Sequence, residues 1–207
     1  MIEHHLAARG IVEASILRAF ATVGREHFVP SQLAKFAYDD SPLPIGGGQT
    51  ISQPYIVALM TEALQLRDGD RVLEIGTGSG YAAAILSCLV DKVFTVERNE
   101  ALAVEARQRL ASLGYKNVEV LCGDGTLGWP EHQPYDAITI TAAAPEIPKA
   151  LLAQLAPGGR LVMPVGPPSS QELVRVRERD GAFSTESICP VRFVPLIGEQ
   201  GVIDPLN

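Results

Sequence analysis

Three alternating glycines constrain the fold of this chain more than any other feature of its sequence. The stretch Val72–Gly80 reads V-L-E-I-G-T-G-S-G, an apolar run that ends in glycines at 76, 78 and 80, and an apolar helical segment follows it. This order predicts a strand, a tight turn and a helix. Glycine suits such a turn because it adopts backbone angles that other residues resist and lets a ligand approach the main chain. The free amides of the helix N-terminus would then face that ligand.

Two carboxylates narrow the class of ligand. A second apolar run ends in Glu97, whose carboxylate could accept hydrogen bonds from both ribose hydroxyls of a nucleoside. Gly78, Gly80 and Ala83 also fit the looser dinucleotide pattern G-x-G-x-x-G/A, so the spacing alone leaves two cofactor classes open. Glu74 favours S-adenosylmethionine, because a carboxylate repels a pyrophosphate but attracts positive sulfonium and amino groups. The alternative is that Glu74 ends a strand and points to water.

The composition predicts a single globular domain. A chain of 207 residues can bury one sizeable core but is short for two domains. Its 46% apolar and 20% charged residues are typical of a folded protein. Apolar runs are too short to span a bilayer and the first residues do not resemble a signal peptide, so we expect a cytoplasmic protein without a membrane partner. The formal charge of −7 argues against a nucleic-acid partner, and we expect a monomer.

The cysteines favour neither a disulfide framework nor a metal site. There are three of them, Cys88, Cys122 and Cys189, with no C-x-x-C pair and no cluster of histidines. Cys88 falls in a helical apolar segment, which predicts a small buried side chain. We therefore predict that the site contains no metal.

The residues before the glycine-rich turn predict a helical cover. Apolar residues recur at helical spacing between Ile11 and Val23, and Gly24 is expected to end that helix. A second short helix is predicted to begin with Ser31 as its N-cap and to continue through Phe36. Both helices are expected to pack over the nucleotide-binding unit.

A long loop is predicted from Tyr38 to Pro54, where the sequence lacks periodicity and is rich in glycine and proline. Loops of this length in compact domains are usually lids or binding segments. Pro54 suits the first turn of a following helix, which places Thr50, Ser52 and Gln53 at a helix N-terminus that favours an anion such as a carboxylate. The local sequence also allows Ser52 or Gln53 to act only as the cap of that helix.

From residue 71 onward, short apolar strands alternate with helices, which predicts a parallel α/β sheet. We expect strands near 71–75, 93–97, 118–121, 135–140 and 160–164, and helices near 81–89, 100–112 and 147–155. The residues that follow strand ends would converge at one edge of the sheet; they are Gly76, Glu97, Asp124 and Thr141. Asp124 is either an acceptor for the exocyclic amine of adenine or part of an ordinary turn.

The last third of the chain contains a predicted β-hairpin. Asp180-Gly181 is a strong two-residue turn signal within the segment 172–188. Arg175, Arg177 and Arg179 alternate along the first arm, and we expect them to form one solvated face rather than a nucleic-acid site.

Several motifs together resemble those of the protein-L-isoaspartate O-methyltransferase family, over almost the whole chain. Many methyltransferases share the glycine turn, whereas three motifs are specific to this family: Q-T-I-S-Q-P at 49–54, T-A-A-A-P at 141–145 and V-R-F-V-P-L at 191–196. Two departures from the family pattern, Gly24 and the glycines at 46–48, lie in the cover and the loop. The resemblance implies a Rossmann-like, class I S-adenosylmethionine-dependent methyltransferase fold: a mostly parallel central sheet flanked by helices, with an N-terminal helical cover and a C-terminal β-hairpin.

The resemblance also implies an activity and a site. The enzyme would transfer a methyl group from S-adenosylmethionine to the α-carboxyl of an L-isoaspartyl residue in a damaged protein or peptide, leaving S-adenosylhomocysteine, and the ester would pass through a succinimide to aspartate. Ser52 is implied as the active-site serine. The implied cofactor contacts are Glu74, Gly76, Thr77, Gly78, Gly80, Glu97, Asp124, Gly125 and Thr141. The implied substrate contacts are Thr50, Ser52, Gln53, Ala142, Val191 and Phe193.

Within one methyltransferase domain, we expect residues 1–54 to form the cover and substrate loop, 55–166 the cofactor-binding core and 167–207 the C-terminal strands.

Three alternative functions stay open: a methyltransferase of another carboxylate or small molecule, a non-catalytic cofactor-binding module, and a dehydrogenase. Base-methylating enzymes usually carry an N-P-P-Y-like segment where T-A-A-A-P stands here. The Q-T-I-S-Q-P loop would be superfluous in a protein that only binds the cofactor.

Overall fold

The computed structural model describes residues 1–203, which form one large sheet, a separate two-stranded hairpin and five α-helices. The strands are β1 (Leu43–Gly46), β2 (Gln49–Ile51), β3 (Arg71–Ile75), β4 (Lys92–Glu97), β5 (Val118–Cys122), β6 (Tyr135–Ile140), β7 (Leu155–Val165), β8 (Gln171–Arg179) and β9 (Ala182–Val191). The helices are α1 (Ala14–Thr22), α2 (Pro54–Leu64), α3 (Tyr81–Ser87), α4 (Glu100–Ser112) and α5 (Lys149–Leu152). In this part of the chain, every helix is too short or too polar to span a bilayer.

The large sheet has the spatial order β5-β4-β3-β6-β7-β8-β9. Its first five strands pair in parallel, and β8 and β9 then add antiparallel. The chain changes direction across the sheet between β3 and β6, and the carboxyl ends of strands at such a switch point form the ligand crevice of α/β proteins. The mostly parallel α/β sheet with a C-terminal hairpin is therefore confirmed.

Alternate strand residues pack into two cores, one on each face of the sheet. Val72 and Val93 belong to the core that includes α1, α2 and α3, whereas Leu73 and Phe94 belong to the core that includes α5. This alternation follows from the two-residue period of a strand. The N-terminal segment is part of the first core, because the rings of Phe20 and Tyr81 meet edge-on with centroids 6.1 Å apart. The helical cover thus packs on α3, the helix that follows the glycine turn.

The predicted boundaries differ from the structure mainly between β6 and β7. The helix expected at 147–155 is shorter in the structure, where α5 covers only Lys149–Leu152. The strand expected at 160–164 is longer, because β7 already begins at Leu155. Leu155 pairs with Tyr135 of β6, which takes it out of the helix and into the sheet. Sheet pairing therefore overrides the local helical pattern here.

The segment expected to be an irregular loop contains the β1–β2 hairpin. Residues 46–48 turn this hairpin, and these three glycines have φ values of 95°, 57° and 71°, a region that other residues rarely adopt. The short helix before it is a 3-10 helix over Ser31–Phe36. Pro30 occupies its N-cap position and no side chain caps it, so the prediction that Ser31 is the N-cap is wrong.

The C-terminal hairpin turns at the predicted dipeptide. Asp180 and Gly181 have φ values of 52° and 80°, as a tight turn between β8 and β9 requires. The prediction that three arginines form one solvated face is wrong for Arg175 and Arg177, which are partly buried. Only Arg179 of the three is exposed. Arg175 Nη1 donates to Ala63 O (3.0 Å) and Arg177 Nη2 donates to the Gln65 side chain (2.9 Å). Both cations therefore lie at the C-terminal end of α2, where the helix dipole favours positive charge.

The cysteines are free thiols. Cys88 lies at the C-cap of α3 and is exposed, so its predicted burial is wrong. Its backbone is still helical, and its thiol donates to Ala84 O at 3.4 Å.

Candidate cofactor and substrate site

A single cleft gathers most of the predicted site residues at the carboxyl ends of β3, β4 and β6. The β1–β2 hairpin, one face of α2 from Val57 to Leu64 and residues 194–197 form its other walls. Predicted residues that line it are Thr50, Ser52, Gly76, Thr77, Gly78, Glu97, Gly125, Thr141 and Ala142. Predicted residues that do not line it are Gln53, Glu74, Gly80, Asp124, Val191 and Phe193.

The glycine turn forms the floor of this cleft. Gly76 has a φ of 97°, and a Cβ at this position would collide with the hydroxyl of Thr141. That hydroxyl lies 3.1 Å from Ile75 O and 3.0 Å from Gly76 O, and the Thr141 amide also donates to Ile75 O. Thr141 thus fixes the end of β3, and only a glycine at position 76 leaves space for the Thr141 hydroxyl. Gly80 lies outside the cleft as the left-handed N-cap of α3.

Glu97 faces the same cleft from the end of β4. Its side chain is 6% exposed, and its two oxygens accept hydrogen bonds from the amides of Gly78 and Asn99, each at 2.9 Å. These bonds hold the carboxylate in one orientation against the glycine turn. Each carboxylate oxygen can accept a second hydrogen bond, so Glu97 keeps acceptor capacity for ligand hydroxyls.

Glu74 is completely buried behind the cleft wall, so the alternative that it points to water is wrong. Its Oε2 accepts from the Thr95 hydroxyl at 2.6 Å, and the Thr95 hydroxyl lies 2.6 Å from that of Thr77, which lines the cleft. Burial raises the pKa of Glu74 to about 8, the charge of Glu97 adds to the rise, and the Thr95 hydrogen bond opposes it. Among the described residues, Oε1 has no partner. An incompletely satisfied acid here fits a cationic ligand better than a pyrophosphate.

Asp124 forms a turn, which is one of its two interpretations, while a contact with adenine stays a prediction. Its Oδ1 accepts from the Thr126 amide (2.8 Å) and hydroxyl (2.7 Å), and its Oδ2 accepts from the Glu199 amide (2.8 Å). Asp124 therefore caps a 3-10 turn and holds the C-terminal segment, of which Leu196 and Ile197 line the cleft. Its neighbour Gly125 is the residue that reaches the cleft itself.

The cap of α2 comes from a residue outside the Q-T-I-S-Q-P motif. Asp40 accepts the Tyr55 amide at 3.1 Å, and it also accepts hydrogen bonds from the Gln53 side chain at 2.7 and 3.0 Å. Gln53 occupies the N-cap position without a side-chain cap bond, so the interpretation of Ser52 or Gln53 as the cap is wrong. The Ser52 hydroxyl makes no hydrogen bond within residues 1–203. It is therefore available to a ligand in the cleft.

The expected substrate residues near the C-terminus flank the cleft without lining it. The Gln171 side chain clamps the backbone of Phe193, accepting from its amide at 2.6 Å and donating to its carbonyl at 3.2 Å. The Ala143 amide then donates to Val194 O, and the Leu196 amide to Ala143 O. These bonds fix residues 194–197 beside Ala142, while Val191 and Phe193 pack on the first core.

Several residues of the site were not predicted from the sequence. Ser79 and Asn99 line the cleft. Arg25 is fully buried, and its guanidinium donates a hydrogen bond to the Ser52 carbonyl at 3.0 Å. Ser79 lies within the glycine turn, and Asn99 follows Glu97 by two residues, so position in the motifs could have indicated both. Arg25 carries no such local signal.

The fold and the cleft together define a class I, Rossmann-like methyltransferase. The strand order places the cleft at the switch point, glycines leave the main chain open, and the Glu97 carboxylate lies in the wall with the buried acid Glu74 behind it.

Comparisons with known proteins identify the family. A sequence model described as "Protein-L-isoaspartate(D-aspartate) O-methyltransferase (PCMT)" matches residues 1–201. "Protein-L-isoaspartate O-methyltransferase 2" of Pelobacter propionicus is 62% identical over 203 residues, 97% of this chain and 90% of that protein. "Protein-L-isoaspartate O-methyltransferase 1" of Geotalea uraniireducens is 60% identical, over 97% of this chain and 93% of that protein. A solved structure of a protein-L-isoaspartate O-methyltransferase is 32% identical, with a TM-score of 0.87, over 97% of this chain and 67% of that one. The chain belongs to the protein-L-isoaspartate (D-aspartate) O-methyltransferase family.

Proposed function

We propose that this protein transfers a methyl group from S-adenosylmethionine to the α-carboxyl of L-isoaspartyl residues in damaged proteins and peptides. The observation that carries the proposal is the Ser52 hydroxyl: it has no hydrogen-bond partner among residues 1–203, and Ser52 lines the same cleft as the glycine turn and Glu97. A hydrogen-bond donor next to a cofactor-binding turn is what a carboxylate substrate requires. Family membership supports the same reaction.

The residues present fit the cofactor. When bound, S-adenosylmethionine supplies an electrophilic methyl group on a sulfonium. We assign Gly76, Thr77 and Gly78 to the part of the cleft where the main chain is open, and Glu97 to the ribose hydroxyls. Glu74 lies behind Thr77, and a nearby cationic group of the ligand would lower the raised pKa of Glu74 and favour its ionised form. Gly80 and Asp124 lie outside the cleft and support its walls. Gly80 begins α3, and Asp124 holds the C-terminal segment.

The reaction asks the protein for placement rather than proton transfer. A carboxylate with an ordinary pKa near 4 is already ionised at neutral pH, so no general base is needed. Ser52 donates a hydrogen bond that orients the carboxylate for in-line attack. The apolar side chains of Ile51, Leu196 and Ile197 line the cleft and limit access of water to it. The methyl ester that results can close spontaneously to a succinimide, whose hydrolysis returns part of the material to aspartate.

The substrate is proposed to be held as an extended peptide between the β1–β2 hairpin and residues 191–195. Thr50 and Ala142 line the cleft on these two sides. Gln53, Val191 and Phe193 support the same walls from outside it. The cytoplasmic location, the monomeric state and the division of the chain at residues 54 and 166 stay predictions of the sequence.

Two peptides of one sequence test the function. One contains L-isoaspartate and the other L-aspartate at the same position, and methyl transfer from labelled S-adenosylmethionine is measured for both. We expect base-labile label in the isoaspartyl peptide alone. Label in neither peptide, with cofactor binding intact, would move a methyltransferase of another carboxylate or small molecule ahead of this proposal.

A further inference from the structure

Arg25 is a buried cation that has no carboxylate partner among residues 1–203. Its side chain is 0% exposed, and it makes no ion pair with the residues that the structure describes. The guanidinium donates instead to three backbone carbonyls: Ala37 O at 2.5 Å, Ser41 O at 3.1 Å and Ser52 O at 3.0 Å. Burial lowers the pKa of Arg25, which is the direction expected when a charge is removed from water.

Such an arrangement is a poor way to stabilise a fold. Burying a charge is unfavourable, and well-packed apolar residues in place of a buried charged group are often as stable or more stable. The Arg25 Nε also has no partner among the described residues. The arrangement is therefore better explained by geometry, since a planar guanidinium can fix several acceptors in one plane.

The three carbonyls belong to the segments that shape the substrate side of the cleft. Ala37 ends the 3-10 helix of the cover, Ser41 precedes β1, and Ser52 lies between β2 and α2. The guanidinium carbon also lies 5.8 Å from the ring centroid of Tyr81, a residue of the cleft wall at the start of α3. Arg25 thus connects the peptide bond of Ser52 to the cofactor side of the same cleft.

We propose that Arg25 is a positioning residue for the reaction: by binding the carbonyl of Ser52, it sets where the Ser52 hydroxyl meets the substrate carboxylate. This inference rests on the proposed function, because it assigns the carboxylate to Ser52. The side chain of Arg25 does not itself line the cleft, so it acts through Ser52.

Arg25→Lys tests the proposal because lysine keeps the charge but cannot bind three carbonyls in one plane. A displacement of about 1 Å at a reacting group can cost on the order of 100-fold in rate, so we expect kcat with the isoaspartyl peptide to fall by about 10- to 100-fold. We expect the Kd of S-adenosylhomocysteine to change by less than about threefold, because the Ser52 hydroxyl orients the carboxylate rather than the cofactor. Faster amide hydrogen exchange over residues 38–53 would accompany the loss.

Arg160→Lys is the matched control. Arg160 is also a buried arginine, and it binds carbonyls at the other end of α2, those of Leu64 and Gln65, besides pairing with Asp70. This variant should lower stability but leave kcat within about threefold of the wild type, since α2 begins with an intact Asp40 cap. Equal losses of kcat in both variants would show that Arg25 acts only through general stability.

A double-mutant cycle with Ser52→Ala separates positioning from a merely structural role. If Arg25 acts through the Ser52 hydroxyl, Arg25→Lys should change kcat/KM by less than about threefold once that hydroxyl is absent. Additive losses would overturn the proposal. So would unfolding of both Arg25→Lys and Arg25→Gln under conditions in which Arg160→Lys folds. A wild-type protein that fails to methylate the isoaspartyl peptide would instead contradict the proposed function itself.

Discussion

At the scale of single residues, Ser52 is the side chain whose chemistry matters most to the proposed reaction. Ser52→Ala removes the one hydroxyl assigned to the substrate carboxylate. Hydrogen bonds to charged groups contribute about 1.5–3 kcal/mol, so kcat/KM for an isoaspartyl peptide should fall by about 10- to 100-fold. The Kd for S-adenosylhomocysteine should stay within about twofold of the wild type. Ser169→Ala, at an exposed serine outside the cleft, is the control, and equal activity of both variants would remove Ser52 from the mechanism.

Glu74 gives a residue-scale prediction about stability and pH. Its pKa of about 8 in the folded protein, raised by burial, exceeds the ordinary value of 4.5. The folded state therefore holds this proton more tightly than the unfolded state, and the resulting stability is complete below pH 4.5 and is lost as the pH rises to about 8. Since one pKa unit corresponds to about 1.4 kcal/mol, the loss is on the order of 5 kcal/mol.

Glu74→Gln should remove this loss. Urea unfolding without cofactor, at pH 5 and pH 8.5, gives the difference in free energy of unfolding for each protein. We expect the wild type to lose more stability than Glu74→Gln over this interval. Glu146→Gln, which changes an exposed carboxylate, should follow the wild type. If all three proteins gave parallel pH profiles, Glu74 would be ionised in the folded protein over the whole interval.

Residue roles could be predicted from the sequence only where their signal is local. The glycines at 76 and 78 and the acid at 97 are part of one short motif each, and the structure places all of them in the cleft. Asp40 and Arg25 are different, because their partners lie 12 to 27 residues away in the chain. Nothing in their neighbours predicts a cap for α2 or a bond to the Ser52 carbonyl. Both roles depend on tertiary packing.

At the scale of elements, the central strands β3, β4 and β6 were predictable because they are mostly apolar and buried on both faces. β3, β6 and α4 have the predicted bounds. The β1–β2 hairpin was missed because a four-residue and a three-residue strand joined by glycines show no alternation of polar and apolar residues. Its register even shifts between Pro44 and Gly46.

The C-terminal segment over residues 194–201 is an element whose position depends on Asp124. Asp124→Asn replaces one carboxylate oxygen by an amide nitrogen and so loses an acceptor for the Thr126 or the Glu199 amide. We expect faster hydrogen exchange at residues 198–200 and an approximately 3- to 30-fold weaker Kd for S-adenosylhomocysteine, because Leu196 and Ile197 line the cleft. Thr126→Ser keeps the hydroxyl that accepts a hydrogen bond from the Gln200 amide. This control variant should change neither the hydrogen exchange nor the Kd. Weaker binding without faster exchange would instead favour a direct contact between Asp124 and the cofactor.

At the scale of the whole molecule, the cleft joins the cover, the sheet and the C-terminal segment, so a ligand bound there should stabilise the protein as a unit. At 100 times its Kd, a ligand specific for the folded state adds about 2.7 kcal/mol. For a chain of this length, that predicts a rise in Tm of roughly 5–10 °C with S-adenosylhomocysteine. NAD should give no rise, because its pyrophosphate would meet the carboxylate of Glu97 in the cleft wall. Ser52→Ala should keep the full rise and Glu97→Ala should lose most of it, while a rise with NAD alone would indicate a dehydrogenase in place of a methyltransferase.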